Sequence, residues 1–155
     1  MKMDKVFNII PGTSGAITFI WILSAVMVII LLGIIGLLAS FGYQARHLTI
    51  TLNEQGLRIS PGLYTRFIPK ESIDTANIRV LDLAIDTQYR PRWRTNGAGL
   101  PGYNAGWFKL QNKEKALLFV TDKSSVVYIP TTDNYSVILS VINADEFAGL
   151  LQNWK

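Results

Sequence analysis

The chain has 155 residues, a net charge of +4 and no cysteine. Without cysteine it can form no disulfide, thiolate metal site or cysteine nucleophile, and its single histidine, His47, cannot supply a histidine-rich metal site or a hydrolase triad. Residues 46–155 hold thirteen Lys and Arg against ten Asp and Glu, a net charge of +3. This surplus is too small for a typical nucleic-acid module, so we expect no nucleic-acid partner.

An uncharged run dominates the first third of the chain. Residues 16–38 read AITFIWILSAVMVIILLGIIGLL, and the uncharged run extends from residue 6 to residue 45. At about 1.5 Å per residue, a helix of this length spans the roughly 30 Å hydrocarbon core of a bilayer. The sequence therefore predicts an N-terminal tail at residues 1–15, a transmembrane helix at residues 16–41 and one β-rich domain at residues 46–155.

Two other interpretations of this run are weaker. A cleavable signal peptide has roughly 7 to 15 apolar residues and then a small-x-small site, whereas this run is longer and Ala39 is flanked by Leu38 and Ser40. A buried core helix that is apolar on every face would need a larger surrounding domain than residues 46–155 offer. Gly36 and Ser40 have the small-xxx-small spacing that lets two helices approach closely, so self-association stays open.

After residue 46, short alternating apolar segments separated by turn residues predict antiparallel β-structure. The predicted strands are residues 47–52, 57–60, 64–68, 78–85, 106–110, 116–121, 126–131 and 135–142, with turns at 53–56, 61–62, 112–113, 122–124 and 132–134. In the strand at 78–85, we expect Ile78, Val80 and Leu81 to point inward. Arg66 is expected to face solvent.

A switch to helical spacing marks residues 143–154. Asn143 is predicted to cap this helix through its side-chain oxygen, with Glu146 completing a capping box. The predicted apolar stripe consists of Phe147, Leu150, Leu151 and Trp154. We expect the stripe to close the open end of a curved β-sheet, with an interaction surface as the alternative.

The densest positive charge lies in residues 89–109, YRPRWRTNGAGLPGYNAGWFK, which include no acidic residue. Arginines at i, i+2 and i+4 would share one face of an extended segment and suit phosphate or carboxylate groups, while tryptophan favours lipid headgroups. The candidate anion- or lipid-binding residues are Arg90, Arg92, Arg94, Trp93, Trp107 and Lys109. The alternative is an exposed strand face whose arginines pair with Asp82, Asp86 or Glu71 and whose tryptophans lie in the core.

The glycines at positions 97, 99 and 102 match the pattern G-x-G-x-x-G. That pattern indicates dinucleotide binding only between a strand and a helix, and here Pro101 precedes the third glycine and a strand follows. We predict that residues 96–106 form a loop of tight turns, whose backbone amides could bind an anion.

Several segments together resemble a known family. GLRI at residues 56–59, GLYTRFIP at 62–69 and RTNGAGLPGY at 94–103, followed by GWF and VVYIPT, resemble bacterial pleckstrin-homology-like (PH-like) domains found behind an N-terminal membrane segment. The resemblance covers residues 46–153. It implies two near-orthogonal antiparallel sheets of about seven strands, closed by a C-terminal helix at residues 143–154. It brings no cofactor and no set of functional residues.

Eukaryotic PH domains suggest phosphoinositide binding through a basic β1–β2 loop. The corresponding turn here, residues 53–56, contains Glu54 and no basic residue, which argues against that mode. We therefore expect a single-pass protein of the bacterial cytoplasmic membrane whose domain is a non-catalytic binding or assembly module, without cofactor or metal. Its expected partner is a membrane protein or a second copy of the chain.

Two rival functions remain from the residues. The first is direct binding of anionic lipid headgroups through the arginine-rich segment and the glycine-rich loop. The second is a hydrolase that uses Asp82 and Asp86 as paired carboxylates, although no positioned nucleophile or metal cage accompanies them. The charges that flank the apolar run, Lys2 and Lys5 against Arg46, only slightly favour a cytoplasmic domain.

Overall fold

The computed structural model describes residues 7–8, 14–60 and 64–154, without the side chains of residue 41 and residues 44–47. The predicted turn at 61–62, the charged tail at Lys2 and Lys5 and the side chain of His47 lie outside this part. The chain divides into two compact units, Met1–Ser40 and Phe41–Lys155. Its elements are α1 (Ser14–His47), β1 (Thr49–Asn53), β2 (Gly56–Ser60), β3 (Arg66–Pro69), β4 (Arg79–Leu81), β5 (Pro91–Leu100), β6 (Tyr103–Leu110), β7 (Lys115–Val120), β8 (Val126–Pro130), β9 (Ser136–Leu139) and α2 (Ala144–Gln152).

Helix α1 contains the predicted apolar run. Its segment Ser14–Ser40 has a mean hydropathy of 3.0, none of it is buried, and among the described residues it is the one helix long and apolar enough to cross a membrane. The hydroxyls of Thr18 and Ser24 donate to the carbonyls of Ser14 and Ile20, at 3.0 and 2.8 Å. These polar side chains therefore find partners within the helix, as a lipid environment would require.

The smaller sheet is antiparallel, with strand order β1-β2-β3. The predicted turn between β1 and β2 is confirmed, because the Asn53 side-chain oxygen accepts hydrogen bonds from the backbone amides of Gln55 and Gly56 at 3.1 and 3.0 Å. This Asx turn fixes the register that turns Leu57 and Ile59 inward, where both are fully buried.

The larger sheet has six strands in the order β4-β8-β9-β7-β6-β5. Strand β9 lies between β8, with which it pairs antiparallel, and β7, with which it pairs parallel. This sheet is therefore mixed, where the resemblance implied antiparallel pairing throughout. The described residues form nine strands, compared with the seven or so expected.

Buried side chains lie on both faces of the larger sheet. In β7, Leu117 and Phe119 belong to the cluster between the two sheets and α2, whereas Ala116 and Leu118 belong to a second cluster on the opposite face. Strands covered on both faces read as continuous apolar runs because neither face meets water. The segments ALLFV, VVYI and SVIL of the three central strands have this character.

Helix α2 packs on the core as predicted, and three of the four predicted stripe residues, Phe147, Leu151 and Trp154, lie in or against the core cluster. Asn143 has a left-handed backbone (φ 59°), and its side chain donates to the Glu146 carboxylate at 3.2 Å instead of capping the helix through its oxygen. Leu150 was expected in the stripe and is 57% exposed. The buried residues of the helix are Ala144, Ala148 and Leu151. Their i, i+4, i+7 spacing makes one narrow stripe, which turns Leu150 to solvent.

The predicted strand at residues 78–85 is wrong in its second half. Strand β4 ends at Leu81, and Asp82 starts a turn in which its carboxylate accepts from the Ala84 amide at 2.6 Å. Leu83 is buried against the second cluster, whereas Ile85 is 78% exposed. The Asp82 side chain bonds a nearby backbone amide in place of a strand partner, and this ends the strand. The segment that follows covers one face of the sheet.

Candidate functional site

The glycine-rich segment predicted as a loop is a β-hairpin instead. Strands β5 and β6 pair from Pro91–Leu110 to Leu100–Tyr103, and only Pro101 and Gly102 turn the chain. Gly97 lies opposite Gly106, and a Cβ at Gly97 would overlap the carbonyl oxygen of Ala105. These glycines allow close approach of two strands, so their amides belong to a ladder and not to an anion-binding nest.

Two β-bulges in β5 change the face of the sheet on which the following side chains lie. The register shifts between Pro91 and Trp93 and again between Arg94 and Asn96, so regular alternation fails at both places. Directly paired residues share a face, which places Trp93 with Lys109 and Arg94 with Phe108 on opposite faces. The predicted single row of three arginines does not form.

Arg90 is turned toward the backbone of the neighbouring turn. Its Nε donates to the carbonyl of Leu83, and its Nη2 donates to the carbonyl of Ala84 at 2.7 Å. These bonds hold the segment that covers the second hydrophobic cluster. Arg90 therefore has a structural task that the sequence pattern does not reveal.

Arg92 and Trp93 form the edge of a basic surface. The Arg92 guanidinium carbon lies 4.6 Å from the centroid of the Trp93 ring, and this ring is 54% exposed. A cavity of about 250 Å³, here called the edge pocket, is lined by Arg92, Trp93, Lys109, Leu110 and Lys113. Three of these five side chains are cationic, and an exposed indole beside them suits a headgroup-like or peptide-like anion.

A larger groove, the Trp107 groove, adjoins the edge pocket and shares Lys109 and Lys113 with it. Its volume is about 780 Å³, and it is lined by Thr95, Asn96, Trp107, Phe108, Lys109, Lys113, Glu114, Lys115, Thr131, Asn134 and Tyr135. The half-buried Trp107 ring contacts the buried Tyr135 ring edge-to-face, with centroids 5.2 Å apart. This packing fixes the indole as a rigid wall of the groove.

Cations flank the Trp107 ring. The Lys115 ammonium lies 4.4 Å from the ring centroid and the Arg66 guanidinium 5.7 Å from it. Arg66 also lies 5.5 Å from the centroid of Tyr135. Cation–π contacts of this kind orient a cation without cancelling its charge, which leaves the site positive.

The groove's one acidic side chain is already engaged. The Glu114 carboxylate accepts from the Tyr128 hydroxyl at 3.0 and 3.2 Å and from the Asn112 amide nitrogen at 3.1 Å. Burial raises the pKa of Tyr128 above its ordinary value, and the neighbouring Glu114 charge raises this pKa further. The tyrosine therefore stays a neutral donor to the carboxylate.

The structure thus separates the six candidate residues into three groups. Trp93, Arg92, Lys109 and Trp107 line one continuous basic and aromatic surface, Arg90 holds the turn, and Arg94 lies on the other face of β5. Four further residues at this surface, Arg66, Lys113, Lys115 and Tyr135, were not predicted from the sequence. The lysines on either side of Glu114 were a usable signal for a basic site. They were overlooked because residues 112–113 were interpreted only as a turn.

The paired aspartates proposed for hydrolysis serve a turn. One Asp86 carboxylate oxygen accepts from the Asp82 amide at 3.2 Å, and the Asp82 carboxylate accepts from the Ala84 amide. Within residues 7–8, 14–60 and 64–154, no group of three His, Cys, Asp or Glu side chains is arranged to hold a metal ion. The basic and aromatic surface is the better candidate site.

Comparison with known proteins gives one family. No curated protein and no solved structure matches the chain. The model of the bacterial PH domain family matches residues 48–154, well over half of the sequence and the whole of the two-sheet domain with α2. The resemblance noted in the sequence is thereby confirmed, and the chain belongs to the bacterial PH domain family.

Proposed function

We propose that this protein is a membrane-anchored, non-catalytic binding module, with its PH domain on the cytoplasmic side of the bacterial inner membrane. The observation that carries the proposal is the combination, in one chain, of the apolar segment Ser14–Ser40 with a PH domain that presents a basic and aromatic surface. An anchor of this length holds a module at a membrane, and cations beside exposed indoles bind anions there.

Binding fits the surface chemistry better than catalysis does. Acid–base catalysis needs a titratable group poised beside a substrate, whereas the groove carboxylate of Glu114 is bonded to Tyr128 and Asn112. The aspartates at 82 and 86 are bonded to amides of their own turn. Lysine, arginine and tryptophan remain, and these are recognition groups.

Anionic lipid headgroups are the second candidate ligand, favoured by the edge pocket. The exposed Trp93 ring stacks with Arg92 beside Lys109, and such amphipathic groups favour the headgroup region. A membrane-protein partner or a second copy of the chain would use the same surface or the anchor. On the anchor, a Cβ at Gly36 would meet no atom within 4 Å, so a second helix could approach there.

Membrane extraction tests the anchor. The full-length protein should stay with the membrane pellet after alkaline carbonate washing and leave it only with detergent. Recovery of the intact chain in the aqueous supernatant would contradict the proposal.

The natural chain has no cysteine, so single cysteines report topology directly. Gln111→Cys lies on the exposed β6–β7 turn and Glu54→Cys on the exposed β1–β2 turn. Both should resist a membrane-impermeant maleimide in intact cells and react after permeabilisation. Labelling of both in intact cells would place the domain on the outer side and contradict that part of the proposal.

Headgroup contact is tested in nanodiscs that contain the full chain. A fluorophore on Gln111→Cys, beside the basic surface, should respond when anionic lipid replaces neutral lipid, and Arg92→Gln should weaken the response. The same label on Glu54→Cys is the control. An equal response at both positions would show only a general charge effect.

A further inference from the structure

The register of the larger sheet places two lysines directly opposite each other. Lys109 on β6 pairs with Lys115 on β7, and Trp93 on β5 pairs with Lys109, so all three share one face. Directly opposite side chains have Cβ atoms only about 4.5 to 5.5 Å apart, and like charges at that position destabilise a sheet. The sheet thus places two lysines at directly opposite positions, an arrangement expected to lower its stability.

A third lysine at the same site has an unfavourable backbone conformation. Lys113, in the β6–β7 turn, has φ 70°, a left-handed conformation that glycine or asparagine adopts at lower free energy. Its amide donates to the Leu110 carbonyl at 3.1 Å, which closes the turn. Places where a sequence works against its local structure are where function is expected.

The positive charges of the Trp107 groove stay available to a ligand. Lys115 and Arg66 contact the Trp107 ring, which orients them without neutralising them. Glu114, the carboxylate in the groove lining, is bonded to Tyr128 and Asn112. A dianion that enters the groove would therefore meet three lysines against the single carboxylate of Glu114.

We propose that the Trp107 groove is a binding site for a phosphoryl group, in which Lys109, Lys113 and Lys115 bind the phosphate oxygens. Lysine binds phosphate as a point charge. A cluster of ammonium groups therefore suits a doubly charged phosphoryl group better than it suits a ligand with one carboxylate. The volume of about 780 Å³ exceeds what a phosphate needs, and the Trp107 wall offers an apolar surface to the rest of the ligand. Phospholipid headgroups and soluble phosphate esters share this chemistry. This inference rests on the proposed binding function.

The first experiment uses the full chain in uncharged maltoside micelles. Inorganic phosphate should raise the unfolding temperature above that in sodium chloride of equal ionic strength, because a ligand of the folded state stabilises it. A second arm compares phosphatidylcholine nanodiscs with and without phosphatidic acid. A response to free phosphate assigns a soluble source, and a response to phosphatidic acid alone assigns a headgroup. No response in either arm overturns the proposal.

Variants separate binding from structure. Lys109→Thr and Lys113→Gly should each weaken phosphate binding about tenfold or more, as expected for loss of a charge-assisted hydrogen bond. Without phosphate, the same variants should unfold at the wild-type temperature or higher, since each removes a locally unfavourable feature. If these lysines were only structural, the variants would lower the unfolding temperature along with phosphate binding.

The matched control is Lys70→Gln. Lys70 also contacts a tryptophan, with its ammonium 5.6 Å from the Trp154 centroid, but it is not part of the groove lining. Its loss should leave phosphate binding unchanged. If Lys70→Gln and Lys109→Thr weaken phosphate binding equally, the effect comes from net charge alone, and the proposed site is overturned. Carbonate extraction would still report separately on the membrane anchor.

Discussion

Gly97 and Gly106 face each other across β5 and β6, where a Cβ at Gly106 would lie 2.6 Å from both the carbonyl oxygen of Asn96 and the Cα of Gly97. Both obstacles are backbone atoms, which cannot move without disturbing the ladder. A third neighbour, the ring of Tyr64, lies 3.1 Å away. The hairpin that presents the basic surface therefore depends on two residues that have no side chain.

Gly106→Ala should destabilise the domain by about 2 to 4 kcal/mol, because overpacking adds to a backbone φ of +110°. Thermal unfolding of the full chain measures the loss. Gly102→Ala is the matched control, since Gly102 has φ +74° but open space around its Cβ position. That variant should cost only about 1 to 2 kcal/mol. Equal losses in both variants would show that close strand approach is not the cause.

Leu83 and Ile85 should respond in opposite ways to truncation. Leu83 is 2% exposed, so Leu83→Ala should destabilise the domain by about 2 to 5 kcal/mol. Ile85 is 78% exposed, so Ile85→Ala should change stability by no more than about 0.5 kcal/mol. Denaturant unfolding distinguishes these values. A large loss at Ile85 would support the strand predicted at 78–85 over the turn.

Arg90 and Arg92 should separate stability from binding. Arg90→Gln removes donors to the carbonyls of Leu83 and Ala84 and should cost about 1 to 2 kcal/mol of stability, with little effect on anion binding. Arg92→Gln should do the reverse, because Arg92 contacts the exposed Trp93 ring at the edge pocket. Unfolding temperature and the fluorescence response to anionic lipid in nanodiscs are measured on the same preparations. Loss of the fluorescence response in Arg90→Gln at unchanged stability would reverse the assignment.

Tyr128→Phe should change the pH dependence of stability at alkaline pH. Burial, followed by the Glu114 charge, raises the pKa of Tyr128 above 10.0. The resulting stability is complete below about pH 10, the ordinary tyrosine value, and is lost as the pH rises toward the folded-state pKa. The variant should lose about 0.5 to 1.5 kcal/mol at neutral pH and fall less steeply above pH 10. Parallel pH curves for the two proteins would contradict this linkage.

The sequence predicted those elements whose signals are local. The β1–β2 turn followed from Asn53 and Gly56, whose types suit the Asx turn that forms. The apolar helix followed from length and composition alone. The final helix was found within two residues of its ends, although the exposure of Leu150 depends on how α2 meets the sheets.

The rest depended on contacts distant in sequence. Strand β5 was missed because most of its residues are exposed and three of them are glycine or proline, so it shows no apolar alternation. The two bulges on either side of Trp93 and Arg94 are set by pairing with β6. Arg66 and Lys115 both contact the Trp107 indole, although their strands are far apart in the chain. Residue spacing in the sequence does not predict that contact.

The position of β9 determines when the domain can be completed during synthesis. Because β9 lies between β7 and β8, those two strands have no ladder to join them until Ser136–Leu139 has left the ribosome. The hydrophobic N-terminal segment emerges long before that. If that segment is the membrane anchor proposed above, the nascent chain is already held at the bilayer while the last strand is translated, and the domain finishes folding beside the lipid rather than in bulk solution.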